Sequence, residues 1–389
     1  MKKKISKNVK LLSIVSLLND LSSEMIMPIL PMFLTALGAN GFIIGLIGGL
    51  RDSISNILTI ISGYWSDKIR KRKIFVIVGY LSSSLFKLLL SFVKIWPQAL
   101  IVSSFERIGK GIRTAPRDAI ISESMPKKHG KGFGFHRAMD TTGAILGSIL
   151  VLILFWYWGL SFNTIILIAA IISFASLFPL IFVTEKKTFQ KKNNINFSIK
   201  TLSNPLKYFL IISGIFALAN FSYMFFILKA QQFFPERLAI IIPILLYILF
   251  NIFYASLSIP FGNLSDKIGR TKLITIGYLI FSLTSLGFIF SNSLIAFIVL
   301  FACYGIAFAI IDSNQRALIS DLSTKKIRAT ALGTFHTLIG IIALPASLIA
   351  GYLWVINPNL TFIFGFTISI ISVFSFIFIQ KKFKIYNHS

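Results

Sequence analysis

Acidic residues are scarce in this chain of 389 residues: 13 Asp and Glu stand against 39 Lys and Arg, and charged residues make up only 13% of the total. Soluble domains carry about 25% charge, so the composition excludes an ordinary soluble fold. Cys303 is the one cysteine, which excludes an intrachain disulfide and a Cys-based zinc site, and the four His are scattered without metal-ligand spacing. No Gly-x-x-x-x-Gly-Lys-Ser/Thr sequence is present, which argues against ATP-driven chemistry by this chain. Neither a metal nor another cofactor is expected. What the chain has in excess is apolar: 55% hydrophobic residues, with a mean hydropathy of +0.80. A net charge of +26 would suit a nucleic-acid binder, but apolar runs separate the basic clusters. The charge therefore belongs to a membrane surface, and no nucleic-acid partner is expected.

Crossing a hydrocarbon core of roughly 30 Å takes about 20 residues of helix. Twelve stretches meet that requirement, at 9–35, 42–64, 73–93, 98–123, 132–157, 161–183, 205–232, 238–263, 272–290, 294–321, 329–355 and 360–380. The first, fourth, fifth and tenth are interrupted by charge and are read as spans because the loops must stay on consistent sides. Alternate connections hold 27 of the 39 basic residues, while the opposite ones hold only Lys94 and Arg237. The positive-inside rule then puts both termini in the cytoplasm of a multi-pass cell-membrane protein. The Lys2–Lys4 run before Leu11 imitates a signal peptide, but Asn19, Asp20 and Glu24 interrupt it, so it is kept as span 1. The polar stretch 185–203 divides the spans six and six. The expected organisation is an N-terminal six-helix bundle over 1–184, a basic cytoplasmic linker over 185–203 and a C-terminal six-helix bundle over 204–389.

The chain also repeats itself. Gly63-Tyr-Trp-Ser-Asp67-Lys68-Ile-Arg70-Lys71-Arg72-Lys73, after span 2, has a partner 199 residues on, Gly262-Asn-Leu-Ser-Asp266-Lys267-Ile-Gly269-Arg270-Thr-Lys272, after span 8. The ends of spans 4 and 10 echo each other as Ala119-Ile-Ile-Ser122-Glu123 and Ala317-Leu-Ile-Ser320-Asp321. Two homologous halves explain both matches.

The doubled loop sequence resembles the loop signature of the major facilitator superfamily. Arg107-Ile-Gly-Lys110-Gly111 in span 4 is similar to that family's Arg-x-x-x-Gly motif. Gly134, Gly143 and Gly147 reproduce the spacing of a helix-5 motif common in its exporters, with Ser148 where the motif has Pro. The resemblance covers essentially the whole chain. It implies an all-α membrane protein of twelve transmembrane helices in two pseudo-symmetric bundles around a central cavity, working by alternating access. It further implies a secondary active transporter rather than an enzyme, with efflux of a small solute the favoured direction.

Charge inside the membrane costs at least ~2.5–3.5 kcal/mol per group on insertion scales, so its placement is informative. Glu106, Lys110, Arg113 and Arg117 in span 4 recur at intervals of four, three and four and form one stripe. Asp20 and Glu24 lie one turn apart on span 1, and Arg51 and Asp52 fall midway along span 2. Rise per residue puts Asp20, Glu24, Arg51, Asp52, Glu106, Arg107 and Lys110 near mid-membrane, with Arg113 slightly nearer the cytoplasm. Lys87, towards the outer end of span 3, is expected to snorkel. Arg117, Asp118, His136, Arg137 and Asp140 read as a structural ion-pair network. Asn220 and Tyr223 in span 7 are candidates for hydrogen bonds to cargo, and Asp312, Asn314, Gln315 and Arg316 form a polar turn in span 10.

Three jobs for the mid-membrane charges stay open. Asp20 or Glu24, with Glu24 favoured, can take up a proton and couple its gradient to cargo movement. Lys110 and Arg113 can hold an anionic group on the cargo. Alternatively the charges satisfy one another and cargo meets only apolar walls. A divalent metal on Asp20 and Glu24 is disfavoured by the neighbouring cations. In the loop signature, Asp67 and Asp266 are expected to approach helix starts across the pseudo-symmetric partner and latch the cytoplasmic face, tuned by Lys68, Arg72, Lys267 and Arg270. The glycines of spans 2 and 5 are expected to be packing positions. A charged first half and an apolar second half suit an amphipathic organic solute carried by a monomer with protons as coupling ion. The alternatives are uptake or exchange of a small organic anion, and an enzyme or receptor on the same fold.

Overall fold

The computed structural model describes residues 5–69, 71–125, 129–185, 202–324 and 327–384, so the central part of the expected linker, 186–201, lies outside the described residues. Every regular element described is a helix: α1 (Lys7–Ile26), α2 (Leu30–Ala36), α3 (Gly41–Ile69), α4 (Arg72–Leu90), α5 (Trp96–Ser124), α6 (His129–Trp156), α7 (Phe162–Ala175), α8 (Leu177–Ile181), α9 (Asn204–Ala219), α10 (Met224–Phe233), α11 (Leu238–Ile268), α12 (Arg270–Phe290), α13 (Leu294–Asp321), α14 (Arg328–Ile356) and α15 (Pro358–Lys384). Serine hydroxyls cap several starts by accepting backbone N–H groups, Ser6 from Val9, Ser161 from Thr164 and Ser293 from Ala296. α1 and α2 are separated by a turn at residues 27–29, which contains Pro28, and Pro31 lies in the first turn of α2. Pro345 lies inside the uninterrupted α14.

Ten segments are long and apolar enough to cross a membrane, α7 with α8 and α9 with α10 each counting as one. The exceptions with enough length are α1 with α2 and α5, the segments that carry Asp20 and Glu24, and Glu106 to Asp118. Large apolar side chains such as Ile259, Phe290, Ile295 and Phe378 stand more than 70% exposed, a surface suited to lipid. The chain is a multi-pass membrane protein.

Two compact units divide it. Unit 1 comprises Met1–Ala39, Leu50–Gln190 and Glu236–Ile244; unit 2 comprises Asn40–Gly49, Lys191–Pro235 and Leu245–Ser389. In unit 1, α4 lies along α5, α1 packs on α6 and α7, and α4 also meets α7. In unit 2 the same pairings recur in the same chain order: α12 along α13, α9 on α14 and α15, α12 on α15. The repeat seen in the loops thus extends to the way each unit is packed.

Glycine permits the closest of these contacts. A methyl group at Gly143 or Gly147 of α6 would fall 2.3 Å from the Leu17 carbonyl oxygen or 2.2 Å from that of Leu21, so α6 touches the backbone of α1 directly. This is the packing role expected of these glycines. Around the α1–α4 contact, Val9, Leu12, Val15, Val76, Tyr80 and Ile120 form an apolar core below the charged layer.

Candidate functional site

Among the described residues of unit 1, five charged side chains are buried: Arg51, Lys87, Glu106, Arg107 and Arg113. Glu106 of α5 is the hub. Its Oε2 lies 3.3 Å from Arg107 Nε and 3.6 Å from Arg51 Nη2 of α3. Both guanidiniums also donate to the Met27 thioether, at 3.0 Å from Arg107 Nη2 and 3.7 Å from Arg51 Nη2. Met27 can take this position because α1 ends there: the turn at 27–29 aims its sulfur at α3 and α5. Sulfur is a weak acceptor, so the carboxylate carries most of the compensation of the two cations.

Arg113, two turns along α5, is engaged differently. Its Nη1 donates to Ser83 Oγ at 2.5 Å, and its guanidinium lies 4.3 Å from the centre of the Tyr80 ring. This cation–π contact and the hydroxyl hold it on the inner face of α4. Gly79 and Gly109 make that approach possible, since a methyl on Gly79 would fall 2.6 Å from Arg113 Cβ and one on Gly109 2.5 Å from the Gly79 carbonyl oxygen.

The span 4 stripe therefore divides. Glu106 and Arg113 are buried, Lys110 is exposed and Arg117 is half-buried. On α1, Asp20 and Glu24 are half-buried, and Asp52 of α3 is exposed. Asp20 accepts a hydrogen bond from Asn19 Nδ2 at 3.4 Å, and no cation comes within ion-pair distance of it among the described residues. Arg117 pairs with Asp118 at 2.9 Å and reaches Ser16 Oγ at 3.2 Å; His136 Nε2 lies 3.7 Å from Asp140 Oδ1 and its Nδ1 3.4 Å from Ser13 Oγ.

Lys87 corrects the expectation that it snorkels. It is 1% exposed, and its ammonium points between α1 and α7, where it meets Ser23 Oγ at 2.9 Å, Ser22 Oγ at 3.1 Å, both oxygens of Asn19 at 3.4 Å and Ser173 Oγ at 3.5 Å. A polar face of α1 facing this position was the signal available in the sequence: Asn19, Ser22 and Ser23 recur at helical spacing and suit three ammonium protons.

At the loop motifs the two units repeat a clamp. Arg72 donates to Asp67 Oδ1 from Nη2 at 2.6 Å and Nε at 3.0 Å, and its Nη1 makes a close ion pair with Glu123. Arg270 bonds Asp266 at 3.0 Å and makes a close ion pair with Asp321. The acids at the ends of α5 and α13 are the residues that the helix-end echo repeats. Glu185 adds a third acid in unit 1, accepting the backbone N–H groups of Arg72 at 2.6 Å and Lys73 at 3.2 Å, a carboxylate on the start of α4. Lys68 and Lys267 are exposed. Glu123, Asp321 and Glu185 were legible only as an echo or as linker residues.

Unit 2 holds its polar groups in another manner. Tyr254 donates to Asp312 Oδ2 at 2.8 Å, Arg316 also pairs with Asp312, Gln315 Nε2 donates to Tyr278 Oη at 2.7 Å, and Asn314 is fully buried. Its interior is also rich in stacked rings, with Phe216 on Tyr278 at 3.8 Å and Phe226 and Phe250 on Tyr304 at 4.3 and 4.7 Å. Asn220 and Tyr223 mark the break between α9 and α10.

The sequence model of the Major Facilitator Superfamily matches residues 12–242 and 239–388, and the chain belongs to that family. It is 60% identical over 382 residues, 97% of this chain and 96% of the relative, to an uncharacterized MFS-type transporter of Methanocaldococcus jannaschii. A stretch of 167 residues, 40% of this chain and 41% of the relative, is 28% identical to the bacillibactin exporter of Bacillus subtilis. Among solved structures, a nucleoside transporter superposes with a TM-score of 0.80 at 15% identity, over 95% of this chain and 98% of that one, a likeness of fold alone. The family is one of transporters of small molecules and not of enzymes.

Proposed function

We propose that this protein is a monomeric secondary active transporter of the cell membrane that exports a small amphipathic organic solute by alternating access, driven by protons. In this reading the fifteen helices make twelve crossings, α1 with α2, α7 with α8 and α9 with α10 each being one interrupted span, and both termini are cytoplasmic. The interruptions fall at 27–29 in unit 1 and 220–223 in unit 2, and broken helices are a feature of transporter binding sites.

The observation that carries the coupling assignment is Asp20, a half-buried acid within the membrane layer that has an amide and, among the described residues, no cation at ion-pair distance. Glu106, held between two arginines, is poorly suited to exchange a proton. Asp20 is therefore preferred to Glu24 as the proton carrier. Export is favoured by the glycine spacing on α6 and by the partial likeness to a protein named as an exporter. In the loops, Asp67 and Asp266 exchange their arginine partners for the helix starts of the opposite half as the cytoplasmic face closes. Uptake or exchange of a small organic anion is the second reading, favoured by four buried cations against one buried carboxylate among the described residues of unit 1.

The test is flux in sealed proteoliposomes with an imposed pH gradient, with interior pH followed by a trapped dye while candidate solutes are added. Asp20→Asn should abolish gradient-driven movement by more than about tenfold and spare solute exchange, since only the protonation step is removed. Gradient-driven flux at the wild-type rate in correctly inserted Asp20→Asn would overturn the assignment.

A further inference from the structure

The contact between α1 and α6 in unit 1 holds a titratable pair that the transport reading does not use. His136 is 4% exposed, and its ring nitrogens face different partners, Nδ1 the Ser13 hydroxyl at 3.4 Å and Nε2 the Asp140 Oδ1 at 3.7 Å. Counting protons decides what each contact is. Ser13 donates its one proton to the Val9 carbonyl oxygen at 2.7 Å. Its oxygen therefore meets the ring as an acceptor, which places the proton of a neutral His136 on Nδ1. Nε2 is then a lone pair, and it faces a carboxylate oxygen that is an acceptor too. Both atoms are shut off from solvent, and neither has a hydrogen bond among the described residues. Two opposed buried acceptors are unfavourable, and one proton between them removes the conflict.

The charges around the pair do not supply that proton. Within unit 1, α6 packs on α1, α5 and α7, and α7 carries no ionisable side chain. From α5, Arg117 and Asp118 act on the ring but are paired with each other at 2.9 Å, and Arg117 also donates to Ser16 Oγ at 3.2 Å. From α1 comes Asp20, a second carboxylate, and α6 itself adds Arg137, which is exposed. Leu17 lies against Gly143 and Leu21 against Gly147, so Asp20 sits roughly 9 Å beyond the level of Asp140 along the same interface, at about 1.5 Å per residue.

We propose that His136 and Asp140 bind one proton between them, at Nε2, as a site separate from Asp20. A hydronium ion gives up its proton, the Nε2–H bond forms, the ring becomes an imidazolium beside the carboxylate, and the pair goes from a single negative charge to none. Release reverses each change. The two residues were expected to belong to a structural ion-pair network, but without this proton they are not an ion pair. On the transport reading, on which this consequence alone rests, the proton carried by Asp20 has a second station on the side of the helix starts.

The full chain in lipid nanodiscs, carrying isotope-labelled histidine, tests the site without any solute. Nitrogen NMR shifts report which ring nitrogen is protonated, and among the four His the signals of this ring are those lost in His136→Gln. The expected result is a proton on Nδ1 at alkaline pH and one transition to the doubly protonated ring as the pH falls from about 9 to about 4. Asp140→Asn offers an amide donor to Nε2 and removes the carboxylate, so the proton affinity of the ring should fall about tenfold or more. Asp20→Asn should keep the transition. A wild-type ring with its proton on Nε2, or one that stays neutral throughout, overturns the site, and this outcome needs no variant to fold. A transition unchanged in Asp140→Asn, or lost in Asp20→Asn, also overturns it, since the proton would then belong to the ring alone or to Asp20. Absence of gradient-driven flux in the wild type would sink the transport reading and leave a titrating pair standing; flux with a ring that never titrates would do the reverse.

Discussion

Units 1 and 2 share helix pairings and differ in what the pairings bury. Among the described residues, every buried ionisable Arg, Lys, Glu or His belongs to unit 1, while the buried amides Asn314 and Gln315 and most of the ring stacking belong to unit 2. The repeat makes the comparison residue by residue. Stepping 199 residues, as between the loop motifs, takes Arg51 to Phe250, and stepping 198, as between the echoed helix ends, takes Glu106 to Tyr304. Arg51 and Glu106 form an ion pair at 3.6 Å; Phe250 and Tyr304 are stacked rings at 4.7 Å. The same step takes Lys110 to Phe308, which meets Tyr304 edge-on at 4.8 Å. One architecture therefore accepts either an ion pair or an aromatic pair at one contact. The charge of unit 1 is not a requirement of the fold, and its cost in a membrane makes a functional reason necessary.

The largest expected effect comes from breaking the hub on one side only. Glu106→Ala removes the carboxylate between Arg51 and Arg107 and should destabilise the protein by about 3–5 kcal/mol, read as a fall in melting temperature of the detergent-purified chain. Tyr304→Phe, at the matching position, keeps the ring and should cost less than about 1.5 kcal/mol. Equal losses would mean that the ion pair is no different from ordinary packing. Transplanting the aromatic solution is a sharper test: Arg51→Phe and Glu106→Tyr, with Arg107→Leu to remove the remaining cation. Replacing a buried ion pair by apolar groups is often neutral or stabilising by about 1–4 kcal/mol, so stability should hold while gradient-driven flux is lost. A triple variant that melts well below wild type would assign these charges to the fold after all.

The pattern of what was legible in the sequence follows from the same contrast. Membrane crossing and the two-fold repeat were readable because they rest on long apolar runs and on a motif present twice, both local signals. The roles of α6 glycines were readable because close approach in lipid needs small residues at fixed spacing. Side-chain direction was not. A lysine near the end of a span can reach water or turn inward, and what decides for Lys87 is a polar face on α1 that is 64 to 68 residues away in the chain. Helical spacing put Glu106, Lys110, Arg113 and Arg117 on one stripe, yet about 40° of angular spread on a helix is enough to separate buried from exposed at a crossing. Met27, aimed at two arginines by a turn between α1 and α2, carries no signal in composition at all.

The smallest predicted effect compares the two loop clamps. Arg72 is 12% exposed and reaches Glu123, which is 20% exposed, whereas Arg270 is 25% exposed and its partners Asp266 and Asp321 are 61% and 53% exposed. Screening acts on the second clamp and much less on the first. Arg72→Ala should therefore cost about 1.5–3 kcal/mol, the range for hydrogen bonds to charged partners, and most of that loss should persist in 1 M salt. Arg270→Ala should cost about 0–1 kcal/mol at low salt and nothing measurable at high salt. Melting temperatures of both variants at the two salt concentrations decide the matter. Equal, salt-insensitive losses would contradict the difference in burial. An unequal result would mean that the two copies of the motif, alike in sequence, open with different ease, and that the first half holds the stiffer clamp as well as the charge.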